Sequence, residues 1–143
     1  MIYTELTNKA LRLAYEAHHG QVDKGGVPYI FHPIHLAEQM EDETAACAAL
    51  LHDVVEDTPV TLERLAREFP REVVEAVRLL TREKGTDYFD YVRAIRQNPV
   101  ARAVKRADLV HNADESRLAG SGMPGEVQAR REKYRRALEI LEE

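Results

Sequence analysis

Apolar residues recur along most of this chain at the three- and four-residue spacing of α-helices. One such series is Leu6, Ala10, Leu13, Ala14 and Ala17, and another is Leu62, Leu65, Ala66 and Phe69. No segment alternates between apolar and polar residues over four or more positions, as a half-buried strand would. The pattern therefore predicts an all-α bundle of about eight helices, near residues 4–18, 33–40, 43–57, 61–69, 71–82, 87–97, 99–115 and 125–142.

Residues that commonly cap helices support these boundaries. Thr4, Thr61 and the pair Thr86-Asp87 each stand just before a predicted helix, where a side-chain oxygen can accept a hydrogen bond from a free backbone N–H. Residues 44–56 are nearly continuous Ala and Leu around one short polar run, which predicts a helix buried on most sides. The main loops fall at 20–32, which contains three glycines and a proline, and at 119–125.

Composition narrows the class of protein and its partners. The 143 residues, 44% hydrophobic and 31% charged, suit one globular domain spanning 1–143. The formal charge of −5, without a basic stripe, argues against nucleic acid as a partner. No apolar stretch is long enough to cross a bilayer, and the first residues lack the features of a signal peptide, so we expect no membrane association and a cytoplasmic location. The oligomeric state stays open.

Four residues that could hold a metal ion stand at predicted internal positions. His52 and Asp53 lie near the end of the most buried helix, where each needs a compensating partner. Alone, this dipeptide would indicate only a hydrogen-bonded pair. His32 opens a helix after the glycine-rich loop, and Asp108 lies on the apolar face of another. Two imidazoles and two carboxylates suit Mn²⁺ or Fe²⁺, whereas the single cysteine excludes the thiolate ligands of a typical structural zinc site.

Two further carboxylates follow the His-Asp pair. Glu56 is four residues after His52, and Asp57 is four after Asp53, so a continuous helix would place them on the same face as the candidate ligands. They could hold or deprotonate a water molecule on the metal. The alternative is a solvated helix end, although negative charge is unfavourable at a helix C-terminus.

Three segments together resemble a known family. AHHGQVDKGGVPYIFHPIHLA, AALLHDVVEDT and VKRADLVHN, in this order, resemble the HD-superfamily hydrolase domain of the RelA/SpoT homologues, especially their small, hydrolase-only members. The resemblance spans residues 13–118, and RREKYRRALEIL resembles the closing helix of the small members. No segment of the sequence resembles the family's synthetase domain.

The resemblance implies a mostly helical fold that holds one Mn²⁺ and hydrolyses the 3′-pyrophosphate of guanosine tetra- or pentaphosphate, ppGpp or pppGpp. By motif position it assigns Glu56 and Asp57 to the pair that positions the attacking water, Lys24 to a phosphate or nucleotide contact, and Asn112 to a ribose or phosphate contact. The positions of the metal ligands are those of His32, His52, Asp53 and Asp108.

Two departures from the family pattern leave the substrate open. Asp23 stands where the long members carry an arginine beside the purine, and Leu109 replaces the arginine of their ADRLHN signature. One alternative is therefore the same chemistry on another nucleotide or phosphorylated metabolite. A second is a non-catalytic nucleotide sensor, which would not need Glu56 and Asp57. A third is a purely structural helical bundle, which would hold no transition metal.

Overall fold

The chain folds into helices, as the apolar pattern predicts, and the computed structural model describes residues 1–114 and 124–143. The predicted loop at 119–125 and the end of the predicted helix at 99–115 fall partly outside these residues. The part of the chain that is described contains one isolated β-bridge, between Val22 and Pro28, and no strand. Its helices are α1 (Glu5–Ala17), α2 (Phe31–Glu38), α3 (Glu43–Leu51), α4 (Val54–Asp57), α5 (Leu62–Glu68), α6 (Arg71–Leu80), α7 (Tyr88–Arg96), α8 (Pro99–Asn112) and α9 (Pro124–Glu142).

Side-chain caps begin several of these helices where the sequence predicts. The hydroxyl of Thr4 accepts a hydrogen bond from the backbone N–H of Thr7 at 3.1 Å, and Thr61 caps α5 in the same way. Asp87 caps α7, whereas Asn98 caps α8 with Pro99 in the first turn. Each cap satisfies backbone donors that have no partner inside the helix.

Helix α3 occupies the centre of the bundle. All of its residues from Ala45 to Leu51 are buried, and it packs against α1, α2, α6 and α8. Its many alanines allow neighbouring helices to approach closely without leaving cavities. Consequently the residues that follow Leu51 emerge inside the protein rather than at its surface.

The predicted helix at 43–57 is divided in two, immediately at the His-Asp pair. Helix α3 ends at Leu51, α4 begins at Val54, and Asp53 has φ −106° and ψ 0°. This sparsely populated backbone conformation is common at active sites. Apolar residues resume at the buried Val54, so the sequence predicted one continuous helix across the polar pair. His52 and Glu56 are therefore not related by one turn of a continuous helix, contrary to the sequence prediction.

No helix within the described ranges combines the length and the apolar character that a membrane span requires.

Candidate metal centre

The four predicted metal ligands meet where α2, α3 and α8 approach one another. His32 lies in the first turn of α2, His52 and Asp53 form the break after α3, and Asp108 faces them from α8. The Oδ1 atom of Asp108 is 2.9 Å from Nε2 of His32 and 3.7 Å from Nε2 of His52. The Oδ2 atom of Asp53 is 2.9 Å from Nε2 of His52. Residues 76 positions apart are therefore brought into direct contact.

The orientation of the His52 ring suits metal binding. Its Nδ1 atom lies 2.6 Å from the carbonyl oxygen of Ala49, and since a carbonyl can only accept, Nδ1 carries the proton. Burial disfavours the charged ring, but Asp53 and Asp108 raise the pKa of His52 well above its usual value, so a cation that binds here would displace a proton from Nε2. This atom is buried and has no aligned hydrogen-bond partner, although both carboxylates lie nearby. A buried, unpartnered ring nitrogen that faces two carboxylates fits a cation.

The surrounding donor atoms also fit a divalent cation. His32, His52 and Asp53 each offer a ligand atom, and these atoms lie within 4.8 Å of one another. Asp108 completes the set through its contacts with both imidazoles. A mixture of imidazole nitrogen and carboxylate oxygen is suited to borderline cations such as Mn²⁺ and Fe²⁺. The residues present therefore fit the predicted metal ion.

Asp108 is oriented by two side chains of its own helix. Nζ of Lys105 donates to Oδ2 at 3.0 Å, and Nδ2 of Asn112 donates to Oδ1 at 2.9 Å. Burial alone would raise the pKa of Asp108, but Lys105 and the two histidines together hold it well below its usual range. The carboxylate is thus ionised before any cation binds. The sequence analysis did not single out Lys105, although its place one turn before Asp108 puts both on one helix face.

Tyr29 is a second contact that the sequence analysis did not assign to the site. Its hydroxyl donates a short hydrogen bond to Oδ2 of Asp53, and its ring packs between His18, at 4.9 Å, and His32, at 5.6 Å. Burial, followed by the Asp53 charge, raises the pKa of Tyr29 above its usual value, so it remains a donor. Tyr29 stands three residues before His32, and this proximity in the sequence could have identified it as part of the site.

His18 is buried beside Tyr29 and is held by Gln21. The Gln21 side-chain nitrogen donates to the carbonyl oxygen of Asp57 at 3.1 Å, so the amide oxygen faces Nδ1 of His18 at 2.8 Å. Nδ1 must then carry the proton. Burial lowers the pKa of His18, which favours the neutral ring. Gln21 thereby ties the glycine-rich loop to the end of α4.

Glu56 and Asp57 lie next to the predicted ligands but remain exposed to solvent. Each offers a carboxylate oxygen within 4.8 Å of the Asp53 carboxylate. Oε1 of Glu56 accepts a hydrogen bond from the backbone N–H of Arg82 at 2.7 Å. Burial, and then the charges of Asp53 and Glu56, raise the pKa of Asp57 to about 6. The backbone N–H of Asp57 donates to the carbonyl oxygen of Asp53 at 3.0 Å, so the predicted four-residue helical spacing holds for this pair but not for His52 and Glu56.

The two residues that depart from the family pattern have structural contacts. Oδ1 of Asp23 accepts hydrogen bonds from the backbone N–H groups of Gly25 and Val27, at 2.8 and 3.0 Å, which closes a turn in which Gly26 has φ 83°. Lys24 is exposed on this turn. Leu109 is buried in the core between helices. The change at 109 thus adds to packing, and the carboxylate at 23 orders the loop.

Comparison with known proteins identifies a matching family and relatives that align with most of this chain. The sequence profile of the HD domain matches residues 10–116. A probable GTP pyrophosphokinase of Mycobacterium leprae is 37% identical over 95% of this chain, and the bifunctional (p)ppGpp synthase/hydrolase SpoT of Escherichia coli K12 is 36% identical over 92%. The chain spans only 18% and 21% of the length of these two relatives.

A solved structure matches nearly the whole chain. It is described as a metazoan ortholog of SpoT that hydrolyses ppGpp, and it is 25% identical with a TM-score of 0.79. The match covers 99% of this chain and 88% of that protein. The all-helical fold and the resemblance indicated by the three sequence motifs are both confirmed.

Proposed function

Because the chain belongs to the HD-domain family, we propose that it is a metal-dependent phosphohydrolase that removes the 3′-pyrophosphate of guanosine tetra- or pentaphosphate. The observation that carries the proposal is the buried Nε2 of His52, which has no aligned hydrogen-bond partner and lies 2.9 Å from Asp53 and 3.7 Å from Asp108. The proposed substrate is supported by the SpoT relatives, whose names include (p)ppGpp hydrolysis.

We assign the cation to His32, His52, Asp53 and Asp108, and we propose Mn²⁺, with Fe²⁺ as the alternative. Imidazole ligands disfavour Mg²⁺, which prefers oxygen donors and retains much of its water. When bound, the cation would lower the pKa of a coordinated water and offset the charge of a phosphate group.

The chain's own residues supply the remaining chemistry. Asp57 and Glu56 orient the attacking water, and one of the two carboxylates accepts its proton. The water oxygen forms a bond to the phosphorus that is attached to O3′, while the bond between that phosphorus and O3′ breaks. The 3′ oxygen takes up a proton, and pyrophosphate is released. Asp108 remains charged throughout, because Lys105 and Asn112 stabilise its carboxylate.

We propose Lys24 and Asn112 as the residues that contact the substrate. Lys24 is exposed on the turn beside the site, where an ammonium group can meet a phosphate. Asn112 donates to Asp108, and the family resemblance assigns its position to a ribose or phosphate contact. Local charge of this kind allows a net acidic protein to bind a polyanion.

Product analysis tests the proposal. The purified protein with Mn²⁺ is incubated with ppGpp, and the products are separated by anion-exchange chromatography. We expect GDP and intact pyrophosphate. Release of orthophosphate would instead identify a phosphatase. Failure on ppGpp with turnover of another compound from a nucleotide panel would support the same chemistry on a different substrate, a possibility favoured by Asp23 at the position of the family's arginine.

A further inference from the structure

His111, on the outer side of His32, contacts that residue through an edge-to-edge hydrogen bond. The two Nδ1 atoms are 2.7 Å apart, the ring planes differ by 8°, and the ring centres are 4.9 Å apart. The separation of the centres is close to the sum of this N–N distance and the two ring radii, so the rings meet edge to edge and do not stack face to face. Rings stacked face to face would not bring the two Nδ1 atoms to 2.7 Å within the plane of the rings.

One proton must lie between these nitrogens, because two lone pairs or two N–H groups would repel at 2.7 Å. The Nε2 atom of His32 faces Asp108 at 2.9 Å and is the nitrogen on the side of the site. If it binds a cation it must be unprotonated, and Nδ1 of the neutral ring then carries the hydrogen. Nδ1 of His111 is therefore the acceptor.

We propose that His111 is a positioning residue for the metal centre: it accepts the Nδ1 hydrogen of His32 and so holds the ligand ring in the tautomer and orientation that bind the cation. This inference rests on the proposed metal site. The matching contact of the other ligand histidine, His52, is made by the carbonyl oxygen of Ala49. Each imidazole of the site thus has its own acceptor, one from the backbone and one from a side chain.

The position of His111 is itself supported from the opposite side. The ring of His35, one turn after His32 on α2, stacks on the ring of His111 at 4.1 Å with an interplanar angle of 29°. His111 lies three residues after Asp108 on α8 and is half-buried. The acceptor is therefore held between the two helices that supply two of the ligands.

Two substitutions of similar shape isolate the acceptor. In His111→Asn the amide oxygen can take the place of Nδ1, whereas His111→Leu offers no acceptor, and both lose the ring that stacks on His35. We expect His111→Leu to weaken Mn²⁺ binding by about 10–100-fold, the usual effect of removing an outer contact of a ligand histidine. His111→Asn should bind close to the wild-type affinity. His19→Leu, at an exposed histidine after α1, is the matched control and should change nothing.

Mn²⁺ affinity is measured by calorimetric titration, and circular dichroism verifies that each variant is folded. Equal affinities for the Leu and Asn variants would refute the inference while leaving the metal site intact. If the wild type binds no divalent cation, the proposed metal site fails together with the inference. Neither result depends on alarmone turnover.

A spectroscopic measurement on the wild type covers the case in which His111→Leu does not fold. In ¹⁵N spectra of protein loaded with diamagnetic Zn²⁺, we expect Nδ1 of His32 to be protonated and Nδ1 of His111 to be unprotonated. The opposite assignment would overturn the proposal.

Discussion

Breaking the buried ion pair between Lys105 and Asp108 should lower the free energy of unfolding by an amount that follows from the structure. Lys105 is 9% exposed and Asp108 6%, and their charged atoms are 3.0 Å apart. Burial disfavours the charged form of Lys105, yet Asp108 and the nearby rings of Tyr88 and Tyr91 raise its pKa overall. Lys105→Met keeps most of the length of the side chain but removes the ammonium group, so it leaves a buried carboxylate without its main counterion and hydrogen-bond donor.

Removing one partner of such a pair costs about 3–5 kcal/mol, because the remaining charge is neither solvated nor compensated. At about 2–4 °C for each kcal/mol in a chain of this size, the melting temperature of the metal-free protein should fall by roughly 6–20 °C. A bound cation at 100 times its dissociation constant adds about 2.7 kcal/mol of stability. Because it also compensates Asp108, the cation should reduce the difference between variant and wild type.

The pH dependence has a definite sign. The folded-state pKa of Asp108 is held below its unfolded value, so its contribution to stability is present above an unfolded pKa of about 3.9 and is lost as the pH falls further, towards the folded-state pKa. Without Lys105 the folded-state pKa of Asp108 rises. Acid unfolding of Lys105→Met should therefore begin at a higher pH than that of the wild type.

Urea unfolding followed by circular dichroism, with chelator and with excess Mn²⁺, measures both effects. Lys84→Met, at an exposed lysine, is the control and should stay within about 0.5 kcal/mol of the wild type. A loss below about 1 kcal/mol for Lys105→Met in chelator would refute the reasoning. An equal loss with and without Mn²⁺ would show that the cation does not compensate Asp108.

Three further predictions concern the proposed site. Asp108→Ala should lose bound metal and activity together, whereas Glu56→Gln and Asp57→Asn should keep the metal and lose about 10²–10⁴-fold in kcat; metal analysis beside kinetics separates the two, and near-native rates in both carboxylate variants would leave them as a helix end. Lys24→Ala should raise KM more than it lowers kcat, because a phosphate contact made in both ground and transition states is lost; an unchanged KM removes Lys24 from the site. Prolonged chelation should abolish hydrolysis, and Mn²⁺ should restore it better than Mg²⁺; full activity in excess chelator would contradict a metal mechanism.

Local pattern was enough to predict most of the secondary structure and the residues that meet at the site. Helical spacing of apolar residues and capping side chains are properties of short segments, so the sequence predicted the helices and the starts at Thr4, Thr61 and Asp87. The order of three motifs predicted which histidines and aspartates lie together. Their roles as ligands stay predictions until metal binding is measured.

The tertiary structure decided how those residues are held. The sequence predicted one helix across His52 and Asp53, because apolar residues resume at Val54, and only the packing of α3 and α4 reveals the break. The acceptor for His32 comes from His111, 79 residues away, and the donor to Asp53 comes from Tyr29, 24 residues away. Hydrogen bonds depend on distances of a few tenths of an ångström between such remote segments. No spacing along the chain encodes those distances, because they are established only when the helices pack.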